Sequence, residues 1–151
     1  MRKNLDKDEC KRILSNNYIG HLAYIYRKRP FVVPITYFYD ENANVIICYS
    51  GEGHKISAMR KNNAVSMEVP EIESVNSWQS VQVEGVFEEL EGSDAKAQLH
   101  GFSLGVKDLI IKKERRDLHF ISEFSSKIYK DDIPIVFRIR IEEISGKKRR
   151  S

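Results

Sequence analysis

The sequence predicts a mainly β protein, a single domain in which six strands form an antiparallel barrel with short helices between them. Three observations predict it. Six runs are rich in alternating apolar, β-branched and aromatic residues, and polar or Gly/Pro turns bound them. Few helical patterns intervene, so strand follows strand instead of alternating with helices. A glycine, Gly85, interrupts the long run Trp78–Leu90, as a bulge at a barrel corner requires. Closure is expected because it removes exposed strand edges.

Asp6 is placed to cap a first helix through about Asn17, with Cys10, Ile13 and Leu14 on its apolar stripe. Three strand-like runs follow: Ile19–Tyr26, Phe31–Tyr39 and Val45–Tyr49. The segments Arg27–Pro30 and Asp40–Asn44 supply the turns between them. His54–Asn62 has helical spacing at Ile56, Ala58 and Met59, and Ala64–Val69 reads as a strand stopped by Pro70. In Trp78–Leu90, residues Val81, Val83, Gly85 and Phe87 share one side. Ser93 can cap a helix over Asp94–Phe102, and Lys107–Leu118 reads as another. In the last strand Ile135, Phe137, Ile139 and Ile141 alternate, and Ser145-Gly146 is expected to end it, leaving 145–151 as a basic tail.

Composition narrows the function classes. The 151 residues are 41% hydrophobic and 31% charged, a globular balance that suits one domain over 1–151. No apolar run approaches the roughly 20 residues of a membrane helix, and the N-terminus lacks the apolar core of a signal peptide. Cys10 and Cys48 make no disulfide framework or ligand cluster, so free thiols in the cytoplasm are expected. Net charge is +3, concentrated in Lys147–Arg150 and in Tyr26-Arg27-Lys28-Arg29-Pro30. A frayed terminus and a hairpin turn account for these clusters, and no aromatic-studded RNA-binding signature accompanies them, so nucleic acid is not an expected partner. His21, His100 and His119 are scattered without metal-ligand spacing, and Glu68, Glu71 and Glu73 read as a solvated acidic patch.

One turn carries chemistry. CYSGEGHK, residues 48–55, joins an apolar run to a helical one and holds two of the chain's 8 glycines. Gly51 and Gly53 allow positive φ and close approach of a ligand to the backbone. Consecutive amides and a helix N-terminus attract phosphate, Ser50 can donate a hydrogen bond, and Lys55 and His54 add charge. A plain strand-to-helix connection also uses glycine, so the residues alone leave both readings open. The stretch is not a nucleoside-triphosphate loop, and Ser50 lacks a nucleophile elbow.

The spacing to other segments goes further. From Phe31 to Glu84 a V-x-P strand precedes a Y-S-…-K turn, a short helix, an N-x-x-V strand and W-x-S-V-x-V-x-G. This ordered set resembles the FMN-binding split-barrel family typified by pyridoxamine-phosphate oxidase. The ending RIEEISGKKR is similar to that of the small, nitroimidazole-reductase-like branch. The resemblance implies a six-stranded antiparallel split β-barrel of Greek-key order. It also implies a homodimer with one FMN in each of two interface clefts. By position, Tyr49 and Ser50 would open the cradle, and Ser50, His54 and Lys55 would hold the phosphate. The backbone of Val33, Pro34 and Ile35 would flank the flavin ring, while Trp78, Gln79 and Ser80 would approach from the partner strand or subunit. No metal is implied.

Two departures shape the expected activity. Pyridoxamine-phosphate oxidases proper have arginine where this chain has His54, and they carry a C-terminal arginine–histidine substrate motif that is missing here. Pyridoxamine phosphate is therefore not the expected substrate. The branch resemblance gives His54 a place in the active site, where an imidazole can serve as proton donor. The expected function is a small FMN-dependent oxidoreductase that passes electrons from NAD(P)H or another donor to a small oxidised molecule such as a nitroaromatic. The alternative is a flavin- or haem-binding module without turnover, a sensor or store.

Overall fold

The computed structural model describes residues 2–114 and 135–150. After strand β1 (Arg2–Asn4), helix α1 (Lys7–Asn16) starts at Asp6, whose carboxylate accepts from the Glu9 amide at 2.8 Å while Glu9 reaches back to the Asp6 amide. This reciprocal cap satisfies amides that a helix start leaves open. The buried stripe is Cys10, Ile13 and Leu14, as the spacing predicts. The chain continues as β2 (Ile19–Tyr26), β3 (Arg29–Thr36), β4 (Phe38–Asp40), β5 (Val45–Ser50), α2 (His54–Lys61), β6 (Ala64–Ser74), β7 (Ser77–Leu90), α3 (Gly92–Glu114) and β8 (Ile135–Arg149).

All the strands join one antiparallel sheet in the order β3-β2-β6-β7-β8-β5-β4, with β1 added on β8. The ends of that path, β3 and β4, do not pair, so the expected closure is not made and the barrel is split. Tyr37 shows why the single run Phe31–Tyr39 becomes two strands. Its amide donates to the Tyr18 carbonyl and its buried hydroxyl donates to the Leu14 carbonyl, both at 2.8 Å, so the chain leaves the sheet there to anchor α1. Pro30 and Pro34 lie in β3, an end strand, where a missing donor is tolerated and discourages further pairing. Tyr37→Phe would strand the Leu14 carbonyl and is expected to cost about 1–2 kcal/mol in urea unfolding, with unchanged far-UV CD. An unaltered unfolding midpoint would show the bond to be dispensable.

Gly85 behaves as predicted. The β7–β8 register shifts between Glu84 and Gly85, and a Cβ on Gly85 would lie 2.4 Å from the Arg140 carbonyl oxygen. Three expectations change. Pro70 does not stop its strand, because β6 pairs with β2 only through Ser66–Glu68 and at Pro70 has a strand neighbour on the β7 side alone. The two helices expected after Ser93 are one within the described residues, α3, which buries Leu99, Phe102, Val106 and Ile110. The expected stretch beyond Glu114, with His119, lies outside them. Nor is the basic end frayed: Lys147, Lys148 and Arg149 pair with Ser80, Gln79 and Trp78 on one side and with β1 on the other. Gly146 permits this, since a Cβ there would press on Leu5 and Cys10.

Two cores result. One fills the inner face of the sheet around Leu14, Leu22, Tyr37, Met67, Val83 and Phe137, and the other packs α3 onto β5 and β8. None of the described helices is long and apolar enough to cross a membrane. Carboxylates tie the edges. Glu88 is held below its ordinary range by hydrogen bonds from Arg138 and Arg140, Glu89 by Arg60, and Asp6 by the Glu9 amide. A depressed folded pKa adds stability above the unfolded value and loses it as pH falls toward the folded one. The urea midpoint is therefore expected to drop between about pH 5 and pH 3. A flat profile across that window would contradict these pairings.

Candidate functional site

Ser50 closes β5 almost fully buried, 8% exposed, with its hydroxyl donating to the Gly51 carbonyl at 2.9 Å. The next three residues turn the chain into α2. That helix differs from α1 at its start: no side chain caps it and no acidic residue lies in its first turn. Its opening amides are therefore unpaired within the helix and carry the positive end of its dipole. The expectation of positive φ at Gly51 and Gly53 is not met. Neither has it, and Gly53 is extended with φ 170°. Both instead face open space, with nothing within 4 Å of where a Cβ would stand. Glycine here keeps the approach to the backbone clear.

Charge around the turn is sorted. Glu52 would oppose an anion, but both its oxygens are bound by Arg60, at 3.0 and 3.1 Å, and Arg60 also grips Glu89. Lys55 is half-buried and its charge reaches Cys48, whose thiol burial pushes up and Lys55 pulls partly back. Among the described residues Lys55 has no carboxylate partner.

His54 is exposed yet held. Its Nδ1 lies 3.0 Å from the Tyr24 hydroxyl, its ring stacks on Tyr26 at 4.6 Å and 6°, and the Phe31 edge meets it at 4.8 Å. The hydroxyl and the ring nitrogen can each donate in this pair, so Nδ1 is engaged whichever of the two carries the proton. The aromatic seat was missed in the sequence. The signal was the alternation of Tyr24 and Tyr26, which puts both on the inner side of β2, with Tyr24 opposite Phe31.

The remaining expected residues fall into separate groups. Val33 and Ile35 face inward and Pro34 outward, opposite His21. Tyr49 points away from the turn, its ring edge-on to Phe102 at 5.1 Å, and burial pushes its hydroxyl pKa up to about 12. Only its backbone belongs to the turn. Trp78 and Ser80 share the outer face of β7, while Gln79 turns to the other face and donates to Glu71 at 2.7 Å. Strand alternation forbids all three from facing one ligand.

A polar chain joins β2 to β7 through β6. His21, opposite Pro34, lies 3.1 Å from Glu68, which accepts from the Ser80 hydroxyl at 2.9 Å. Glu71 accepts from Asn17 as well as Gln79. The acidic residues are thus engaged, not a merely solvated patch. No described hydrogen bond, ion pair or ring contact joins the His54 group to Trp78, Gln79 or Ser80 within one chain.

The outer face also holds two adjoining grooves that share Glu68 and Gln82. One, of about 990 Å³, runs by Trp78, Ser80 and Lys147 under the N-terminal segment; the other, of about 580 Å³, runs by His21 and Val32. Exposed apolar side chains flank them, with Ile72 72% and Val32 64% exposed.

Comparison with known proteins agrees with this architecture. The chain is 28% identical to an FAD-binding protein from Mesorhizobium loti, with a TM-score of 0.76 over 100% of this chain and 98% of that one. A candidate 5-nitroimidazole antibiotic resistance protein from Bacteroides thetaiotaomicron shares the fold at 20% identity, with a TM-score of 0.69 over 98% of this chain and 89% of that one. An uncharacterized protein from Rhizobium meliloti is 32% identical over 102 residues, 66% of this chain and 66% of that relative. The model of the family described as pyridoxamine 5'-phosphate oxidase matches residues 6–148, nearly the whole open barrel with its glycine turn, and the chain belongs to that family.

Proposed function

We propose that this chain binds a flavin, with a flavin phosphate at the 50–55 turn, and acts as a small oxidoreductase. The uncapped start of α2 carries the reading. Its free amides, the clear space beside Gly51 and Gly53, and Lys55, which has no carboxylate partner among the described residues, suit a phosphate, and Arg60 withdraws the one acidic group of the turn. The residues therefore fit the group. The FAD-binding relative at 28% identity supports a flavin, and the 50–55 turn suits the phosphate that FMN carries. The flavin when bound supplies hydride and electron transfer, and the protein supplies binding, orientation and electrostatics. In this reading Ser50, His54 and Lys55 hold the phosphate end, Val33–Ile35 lie beside the ring, and His54 offers its Nε2 proton to a small oxidised substrate such as a nitroaromatic, with NAD(P)H as donor. The purified protein should be yellow and release FMN on denaturation; a colourless protein that takes up no flavin on titration would end the proposal.

The proposed assembly is a homodimer. Trp78 and Ser80 do not reach the His54 group in one chain, and they lie on the grooved outer face with Ile72 and Val32. Covering that face with a second copy would bury these side chains, and the proposed dimer places the partner's copy of that face beside the flavin. Light scattering with FMN present is expected to give a dimer, and Ile72→Glu is expected to raise its dissociation constant about tenfold, the cost of one charge at an apolar contact. A wild-type monomer that still holds FMN would overturn the shared-cleft arrangement.

A further inference from the structure

The basic cluster at the β2–β3 turn is left unused by this reading. Arg27 and Lys28 form the two-residue loop between Tyr26 and Arg29, which pair directly, and both have left-handed backbones with φ of 50° and 64°. Such a turn favours Asn-Gly, because a side chain at positive φ is strained. Two long cationic residues are instead kept there against the local preference. They converge with Lys61 on a pocket of about 200 Å³ between the turn and α2, floored by Tyr26 and Ala58. The Arg27 guanidinium lies 5.0 Å from the Tyr26 ring centre and the Lys61 ammonium 5.9 Å from it. Unlike Arg60, Arg138, Arg140 and Lys148, none of the three has a carboxylate partner among the described residues. Tyr26 is also the ring on which His54 stacks, so it is a common wall between this pocket and the glycine turn.

We propose that the pocket formed by Tyr26, Arg27, Lys28 and Lys61 is a second anion subsite, and that it takes the adenylate phosphate of a dinucleotide. The proposal rests on flavin binding at the neighbouring turn. Cations with no carboxylate partner among the described residues, set around an aromatic wall, suit a phosphate joined to a planar base. Two molecules carry that chemistry: a flavin adenine dinucleotide spanning both subsites, or the adenylate end of a nicotinamide donor.

The test compares wild type with Arg27→Asn/Lys28→Gly/Lys61→Ser, titrated with FMN, FAD and ADP, with Tm as the check on folding. The turn substitutions match the backbone they occupy, so Tm should hold or rise. If the dinucleotide is the flavin, the variant loses about tenfold or more in FAD affinity and keeps its FMN affinity. If it is the nicotinamide donor, FMN and FAD binding are unchanged and ADP binding falls by a similar factor. Either result supports the subsite. Equal affinity of variant and wild type for all three ligands overturns it, as does a variant that loses FMN as strongly as FAD. Should wild type bind neither flavin, the flavin reading fails separately, and ADP then decides: binding lost in the variant supports the subsite, and binding absent or unchanged overturns it.

Discussion

Lys55→Ala is expected to weaken FMN binding by roughly ten- to a hundredfold, the worth of one charge-assisted contact. The side chain is half-buried in the first turn of α2 with no carboxylate partner among the described residues, so an anion at the helix start suits it. Riboflavin, which lacks the phosphate, should bind wild type and variant with nearly equal affinity. That contrast isolates the phosphate contact from any effect on folding. Lys55→Arg should recover part of the loss, because charge is kept while the point contact becomes a fork. The fluorescence quenching of each flavin on titration gives all these affinities. Equal losses for FMN and riboflavin would assign Lys55 a structural role under the turn, through the buried Cys48 that its charge reaches.

Legibility followed locality. The Asp6 cap, the stripe of α1, the alternation in β2 and the bulge at Gly85 depend on neighbours in sequence or on one strand pair, and each was readable. The break at Tyr37 was not, because its cause is two hydrogen bonds to residues about twenty positions earlier in the chain. Pro70 misled for a related reason: whether a proline stops a strand depends on which edges have partners, a property of the sheet order. The basic end was misread because charge suggested solvent, whereas β1 and β7 capture it from both sides. At the site, the turn itself was legible from its glycines and Lys55. The aromatic seat of His54 requires the register of β2 against β3, and the split of Gln79 from Trp78 and Ser80 needed only the two-residue period of a strand.

The largest expected effect concerns His54 and separates an enzyme from a flavin-holding module. Tyr24 fixes Nδ1 and Tyr26 supports the ring face, so the imidazole is orientated before any ligand arrives, while Nε2 has no partner among the described residues. A residue that only added charge beside a phosphate would not need an orientated ring. As proton donor to a reduced product, His54 should contribute the hundredfold or more that positioned general acids supply. Both His54→Gln and His54→Arg should then slow flavin reoxidation by a nitroaromatic by about that factor while FMN stays bound. Tyr24→Phe should slow it less, about tenfold, because it loosens the orientation of the ring without removing it. If His54 serves the phosphate instead, His54→Arg should bind FMN at least as well as wild type and turn over normally, since a guanidinium suits a phosphate. Stopped-flow reoxidation with FMN affinity measured alongside distinguishes the two. Should no acceptor reoxidise the wild-type flavin faster than oxygen does, the ordered imidazole would be part of a binding site alone, and the oxidoreductase reading would give way to the module.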